Sequence, residues 1–325
     1  MMRSLSFVHE VRPRRKQPHI LYCGLKCLFI IWREAHASAQ LVEEGAKLRV
    51  VATIPDLKSL AEEVGGDLVE VDSLARGTQN VHDVEIRPSL MLKLRRADVL
   101  ILNGLELDTW ADLVVQGANN PNVVRGAPGV IDASKGVRVL EIPAGRVDRS
   151  MGDVHPLGNP HYSLDPGQAE TVTANIVEGF ARVAPAHRAT FERNRQAFLG
   201  RLAEAMRRWT AALEPFRGAR VVTYHPTLTY FLSRFGLVQA ATVEDRPGIP
   251  PSPVHLTQLI RRMKDDKIKV VLVEPWADRG IAARVAEEGG AKVVPLASVV
   301  GAIKGTDTYL DAIDYNVRAL VQALR

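Results

Sequence analysis

The sequence predicts an α/β protein of two lobes, each a mostly parallel sheet flanked by helices, joined by one long backbone helix. Three observations point there. Short β-branched runs alternate with amphipathic helical stretches in both halves of the chain, the pattern of parallel sheets covered on both faces. One helical stretch, residues 185–213, is long enough to run along both lobes as a stiff spine. At 325 residues the chain is also long enough to divide into two cores.

The first half opens with a strand over 48–54. A helix follows through Leu57, Leu60 and Val64, whose spacing turns one apolar face inward, and it stops at Gly65-Gly66. A second strand over 68–71 leads into a loop ending at His82. A helix through Leu90, Leu92 and Leu94, a strand over 98–102, a break at Asn103-Gly104 and a helix over 108–115 come next. Residues 117–164 are rich in Gly, Pro and Asn and are expected to be mostly loop, with one short strand at 137–140. Asp165-Pro166 then supplies an N-cap and a proline suited to a first helical turn. That helix runs through Val172, Ile176 and Phe180 and breaks at Ala184-Pro185. From 185 to 213, Phe191, Phe198, Leu202 and Met206 keep helical spacing, a span of roughly 40 Å at 1.5 Å per residue. The alternation then restarts with a strand over 220–224, a helix over 229–235 and a rigid Gly-Pro connection at 248–253. A helix over 255–264, a strand over 269–274, a helix over 281–288, a strand over 292–296 and a closing helix over 309–324 complete the chain.

These breaks divide the chain into a basic leader at 1–39, a first lobe at 40–184, the linking helix at 185–214 and a second lobe at 215–325. The leader has the parts of an export signal: a basic Arg14-Arg15-Lys16, an apolar stretch over 20–32 and Ala37-Ser38-Ala39 before Gln40. Lys26 interrupts the apolar stretch and Arg33-Glu34 precede the cleavage motif, so it is expected to work poorly as written or to reflect a translation start elsewhere. No stretch reaches the ~20 apolar residues that span a bilayer. Cys27 follows a charged Lys26, so no lipid anchor is expected.

The charge excess also lies in the leader. The chain carries 42 Lys/Arg and 37 Asp/Glu, and the leader holds seven of the basic residues and two of the acids. The remainder is balanced, which leaves no material for a basic groove and excludes a nucleic-acid partner. Cys23 and Cys27 both belong to the leader, so any metal site in the body must use His, Asp and Glu.

Open parallel sheets bind ligands beyond the carboxyl ends of their strands. Four polar residues occupy such positions. His82 follows the second strand, His225 follows the strand over 220–224, and Asp278 lies four residues past Glu274 at a strand end. His161 sits just ahead of the helix capped by Asp165. Two come from each half, so a cleft between the halves gathers three imidazoles and one carboxylate. That set suits tetrahedral zinc and argues against manganese, which favours more oxygen. A single loop histidine is more often a surface residue than a ligand, and His155, His187 and His255 are expected to be of that kind. Asp278 can equally cap the helix that follows it, and Glu274 and Glu85 can be ordinary acids.

Several motifs in order give these residues a family context. They are Val81-His-Asp-Val-Glu-Ile-Arg-Pro-Ser89, Ala97-Asp-Val-Leu-Ile-Leu-Asn-Gly104 and Gly158-Asn-Pro-His-Tyr-Ser-Leu-Asp-Pro166, then His225 with Tyr230-Phe231, Pro247-Gly-Ile-Pro-Pro-Ser-Pro253 and Asp314-Tyr-Asn-Val-Arg318. Through them the body, from about residue 47 onward, resembles the metal-binding proteins of zinc and manganese ABC importers. The resemblance implies His82, His161 and His225 as ligands, with Asp278 where the family often places a carboxylate. It implies an extracytoplasmic, monomeric protein that is not an enzyme, with zinc as cargo and a permease subunit as partner. A third histidine in place of a carboxylate leans toward zinc (Zn2+) over manganese (Mn2+). Residues 133–158 offer only His155 where many zinc members carry a His-rich loop, so this loop is expected to be a short gate.

Other readings stay open at the level of sequence. Glu274 or water can fill the fourth position in place of Asp278. A manganese-binding homologue, a surface adhesin or a metal chaperone has the same fold and site. A zinc hydrolase would need an open position and a base such as Glu85, Glu274 or Asp278, but no His-Glu-x-x-His motif is present.

Overall fold

A computed structural model describes residues 47–325; the leader, including Cys23 and Cys27, lies outside the described residues. The strands form two sheets of four, all parallel. The first contains β1 (Leu48–Ala52), β2 (Val69–Ser73), β3 (Val99–Leu102) and β4 (Val130–Asp132) in the order β2-β1-β3-β4. The second repeats that order as β6-β5-β7-β8, with β5 (Arg220–Thr223), β6 (Val238–Thr242), β7 (Val270–Val273) and β8 (Lys292–Pro295). Central strands covered on both faces carry unbroken apolar runs, as in β7, Val-Val-Leu-Val, which is buried at every position. In each sheet the chain reverses its direction of winding between the first strand and the third, which opens a crevice at the carboxyl ends of the strands.

Helices cover the sheets. They are α1 (Pro55–Gly65), α2 (Pro88–Arg95), α3 (Ala111–Ala118), α4 (Ala169–Val183), α5 (Arg188–Leu213), α6 (Thr229–Arg234), α7 (Pro253–Asp265), α8 (Arg279–Gly289) and α9 (Tyr309–Leu324). Prolines at the first turns of α1, α2 and α7 sit where an N–H would be unsatisfied anyway. The spine α5 has 26 residues, about 39 Å at 1.5 Å per residue, and is led in by a 3-10 turn at Pro185–His187. Phe191, Phe198, Leu202, Ala205, Trp209 and Leu213 form its buried stripe against α1, α4 and α9. Trp209 also donates its indole N–H to Asp314 on α9 at 2.9 Å.

Three features depart from the sequence expectation. Residues 137–140 are irregular, and the fourth strand of the first sheet is instead Val130–Asp132, three residues paired along β3. So short an edge strand takes its conformation from its neighbour more than from its own composition. The sequence gives little sign of β6, whose Val-Gln-Ala-Ala-Thr lacks the β-branched run of a central strand. Last, the chain after β8 is not confined to the second sheet. Val300 donates its N–H to Asp56 Oδ1 at 2.7 Å, Tyr309 donates its N–H to Ser59 Oγ at 2.9 Å, and the Tyr309 hydroxyl donates to the Ser163 carbonyl at 2.5 Å. Val299, Val300 and Ala302 share one core with β1, α1 and α4. Among the described residues, no helix is long and apolar enough to cross a membrane.

Candidate metal centre

His82, His161 and His225 converge: one nitrogen from each lies within 4.8 Å of the other two. Each is placed by local chemistry. The loop before His82 is held by Asn80, whose Oδ1 accepts the His82 N–H at 3.0 Å, and by Trp110, whose indole donates to the Val81 carbonyl at 3.0 Å. His161 is fixed through Asn159, which accepts the His161 N–H at 2.9 Å and donates its side-chain amide to the Pro226 carbonyl at 2.9 Å. One amide thus ties the second ligand loop to the residue after His225. His225 leaves β5 in extended conformation because Pro226 follows it and starts a 3-10 turn. Behind His161, the Asn103-Gly104 break carries a network in which Asp108 accepts from Thr53 Oγ1 and Asn103 N, and the Tyr162 hydroxyl donates to the Asn103 carbonyl. Gly104 has φ +77°, and a Cβ there would lie 2.4 Å from Asp132 Oδ1, so no larger side chain fits.

The geometry suits a cation. His82 Nε2 and His161 Nε2 are 3.0 Å apart. Two nitrogens at 2.0–2.1 Å on one tetrahedral ion would be about 3.3 Å apart, so a small opening of the pair admits it. His225 Nδ1 donates to Glu244 Oε2 at 2.8 Å, which leaves its Nε2 lone pair free for the centre. Burial, and after it the neighbouring imidazoles, holds His82 and His161 well below the usual imidazole range, so both are neutral and able to ligate. Glu274, at the end of β7, is buried, and neither of its carboxylate oxygens finds a hydrogen-bond partner among the described residues. Burial pushes its carboxyl up to about 7, while the nearby His225 pulls the other way. Imidazole ligands bring no negative charge, so the buried Glu244 and Glu274 are the acids placed to balance a divalent ion here.

Asp278 is not brought to the three histidines. Its Oδ1 accepts from Gly280 N at 2.8 Å and Ile281 N at 3.0 Å, the N-cap of α8, and the residue is exposed. A carboxylate that satisfies free helix amides is held away from the cleft. Glu85 is exposed and pairs with Arg87. His187 lies beside the start of the spine, and His255 meets the Thr242 carbonyl at 3.0 Å. His155, by contrast, reaches the site: its Nε2 is 3.2 Å from His82 Nδ1, with the two ring planes 28° apart. It lines a cavity of about 120 Å³ together with Glu141, Asp153, Asn159, His161 and His225. Sequence reasoning also misses Glu244 and Trp276, whose ring meets that of His225 edge-on. Glu244 follows β6 as the other site residues follow their strands, and an unread strand hid that signal.

The family profile of ZnuA, described as zinc-uptake complex component A, periplasmic, matches residues 50–323. The chain belongs to the ZnuA family. Among curated proteins it is 24% identical over 314 residues to the zinc-binding lipoprotein AdcA of Streptococcus pneumoniae, covering 94% of this chain. It spans only 61% of that relative's length. It is also 24% identical over 284 residues to the iron-binding protein YfeA of Yersinia pestis, 85% of this chain and 86% of that protein. A solved ZnuA deletion mutant with zinc bound is 26% identical, with a TM-score of 0.72 over 85% of this chain and 98% of that one.

Proposed function

We propose that this ZnuA-family chain is an extracytoplasmic zinc-binding protein that takes one ion into the cleft of His82, His161 and His225. It delivers that ion, as a monomer, to the permease subunit of an ABC-type importer. The observation that carries the reading is the convergence of three imidazoles, drawn from both halves of the chain, within 4.8 Å. The zinc-binding relatives support zinc as the cargo, and nitrogen ligands without a carboxylate among them favour it over manganese. The role is binding and not catalysis: of the candidate bases, Glu85 is exposed and pairs with Arg87, Asp278 serves the cap of α8, and Glu274 is buried at the end of β7.

Competition against a chromogenic chelator tests the assignment of metal. Zinc is expected to bind tightly at one ion per chain, with manganese far weaker. Manganese binding as tight as zinc, or iron binding tighter than both, would reverse the choice of cargo.

A further inference from the structure

We infer that His155 is a positioning residue of the metal centre: it accepts a hydrogen bond from the Nδ1–H of His82 and so presents the Nε2 lone pair of His82 to the ion. The inference rests on the zinc-binding reading above. An imidazole that ligates through Nε2 carries its proton on Nδ1, and that proton needs an acceptor. His82 Nε2 faces His161 Nε2 at 3.0 Å, so Nε2 is the nitrogen turned to the centre. The other nitrogen, Nδ1, meets His155 Nε2 at 3.2 Å. His155 is not among the converging three and meets His82 at its other nitrogen, which makes it a partner of the ligand and not a ligand.

The segment that carries His155 supports this. Asp153 donates its N–H to the Pro247 carbonyl at 2.7 Å, and Arg246 Nη1 donates to the Ser150 carbonyl at 3.1 Å. Gly152 has φ +74°, and a Cβ there would lie 2.0 Å from the Pro247 carbonyl oxygen. The segment is therefore strapped onto the loop after β6. That loop is itself bound to the site, because Gly248 donates its N–H to the same Glu244 Oε2 that accepts from His225. The groups that orient His82 and His225 come from two loops that hold each other. Docking of the strap is what brings His155 to His82.

Three variants of the full chain test this: His155→Phe, which keeps a ring but has no acceptor, His155→Gln, which restores one, and Gly152→Ala, which leaves His155 intact but forces the strap off Pro247. Zinc affinity is read by chelator competition and the imidazole count by X-ray absorption. His155→Phe is expected to weaken zinc by about 10- to 100-fold, the range for loss of an outer partner, with three imidazoles still on the metal. His155→Gln should recover most of that loss, and Gly152→Ala should reproduce the His155→Phe effect. A zinc-loaded wild type with four imidazoles that falls to three in His155→Phe would make His155 a ligand and overturn the proposal. Unchanged affinity in His155→Phe, or no recovery in His155→Gln, would also overturn it. A wild type that takes no zinc while remaining folded would overturn the zinc-binding reading itself and this proposal with it.

Discussion

A histidine binds a metal through one nitrogen and must place the proton on the other, so the second partner of each ring sets its orientation. At His225 that partner is a buried carboxylate, Glu244. Replacing His82, His161 or His225 with Ala is expected to lower zinc affinity by more than about 100-fold, beyond the loss of any outer partner. His187→Ala and His255→Ala should leave it unchanged, since neither ring is at the cleft. A His255 variant as impaired as a His225 variant would mean the cleft is elsewhere. Glu274 carries a prediction of its own. Its carboxyl is raised from an ordinary 4.5 to about 7, so the folded protein holds that proton more tightly than the unfolded chain. Its contribution to stability is therefore full below pH 4.5 and declines as pH rises through 7, by about 3 kcal/mol. In urea denaturation without metal, Glu274→Gln should gain on wild type between pH 5 and pH 8. A pH-independent difference between the two would contradict the buried, unpartnered carboxyl.

At the scale of elements, the strand ends are the positions that matter, and their neighbours decide how each is used. Asp278 and Glu274 are four residues apart at the end of one strand. The first is held by the amides of α8, and the second is buried behind His225. Asp278→Ala should cost about 1 kcal/mol of stability through the lost cap and leave zinc affinity as it was. Thermal unfolding and chelator competition on the same variant separate the two roles. A loss of affinity with little loss of stability would place Asp278 on the metal. Most elements were legible from period alone: the apolar run of β7 and the stripe of α5 from Phe191 to Leu213 are local signals. Val130–Asp132 and β6 were not, because a three-residue edge strand and a strand of small residues owe their conformation to the strands beside them.

Across the whole molecule, the two sheets are tied more than once. The spine α5 runs past both, and the chain after β8 returns to Asp56, Ser59 and Ser163. Asp165, ahead of α4, also pairs with Arg234 on α6 through two hydrogen bonds of 2.5 and 2.7 Å. A large hinge rotation would break all of these together. Zinc should therefore raise the melting temperature strongly, by about 4 kcal/mol of stability at 1,000 times its dissociation constant, with little change in radius of gyration. Small-angle scattering with and without zinc reads this, and a marked contraction on binding would sink the rigid frame.

The α/β class, the spine and the three histidines that converge are legible in local sequence, because period, caps and strand ends are written within a few residues of one another. The lack of cysteine from residue 40 onward is likewise plain in the sequence. Only the tertiary structure decided which groups serve those histidines. His155 meets His82 across 73 residues, and Glu244 meets His225 from a strand the sequence barely marks. The C-terminal segment joins the first core across more than 200 residues of chain, with Asp56 and Val300 separated by 244. Propensity and periodicity carry information along the chain, whereas these pairings depend on how segments far apart approach in space. A histidine in a loop therefore reads the same in sequence at 155 as at 255, and packing alone sends one to the metal centre and the other to a backbone carbonyl.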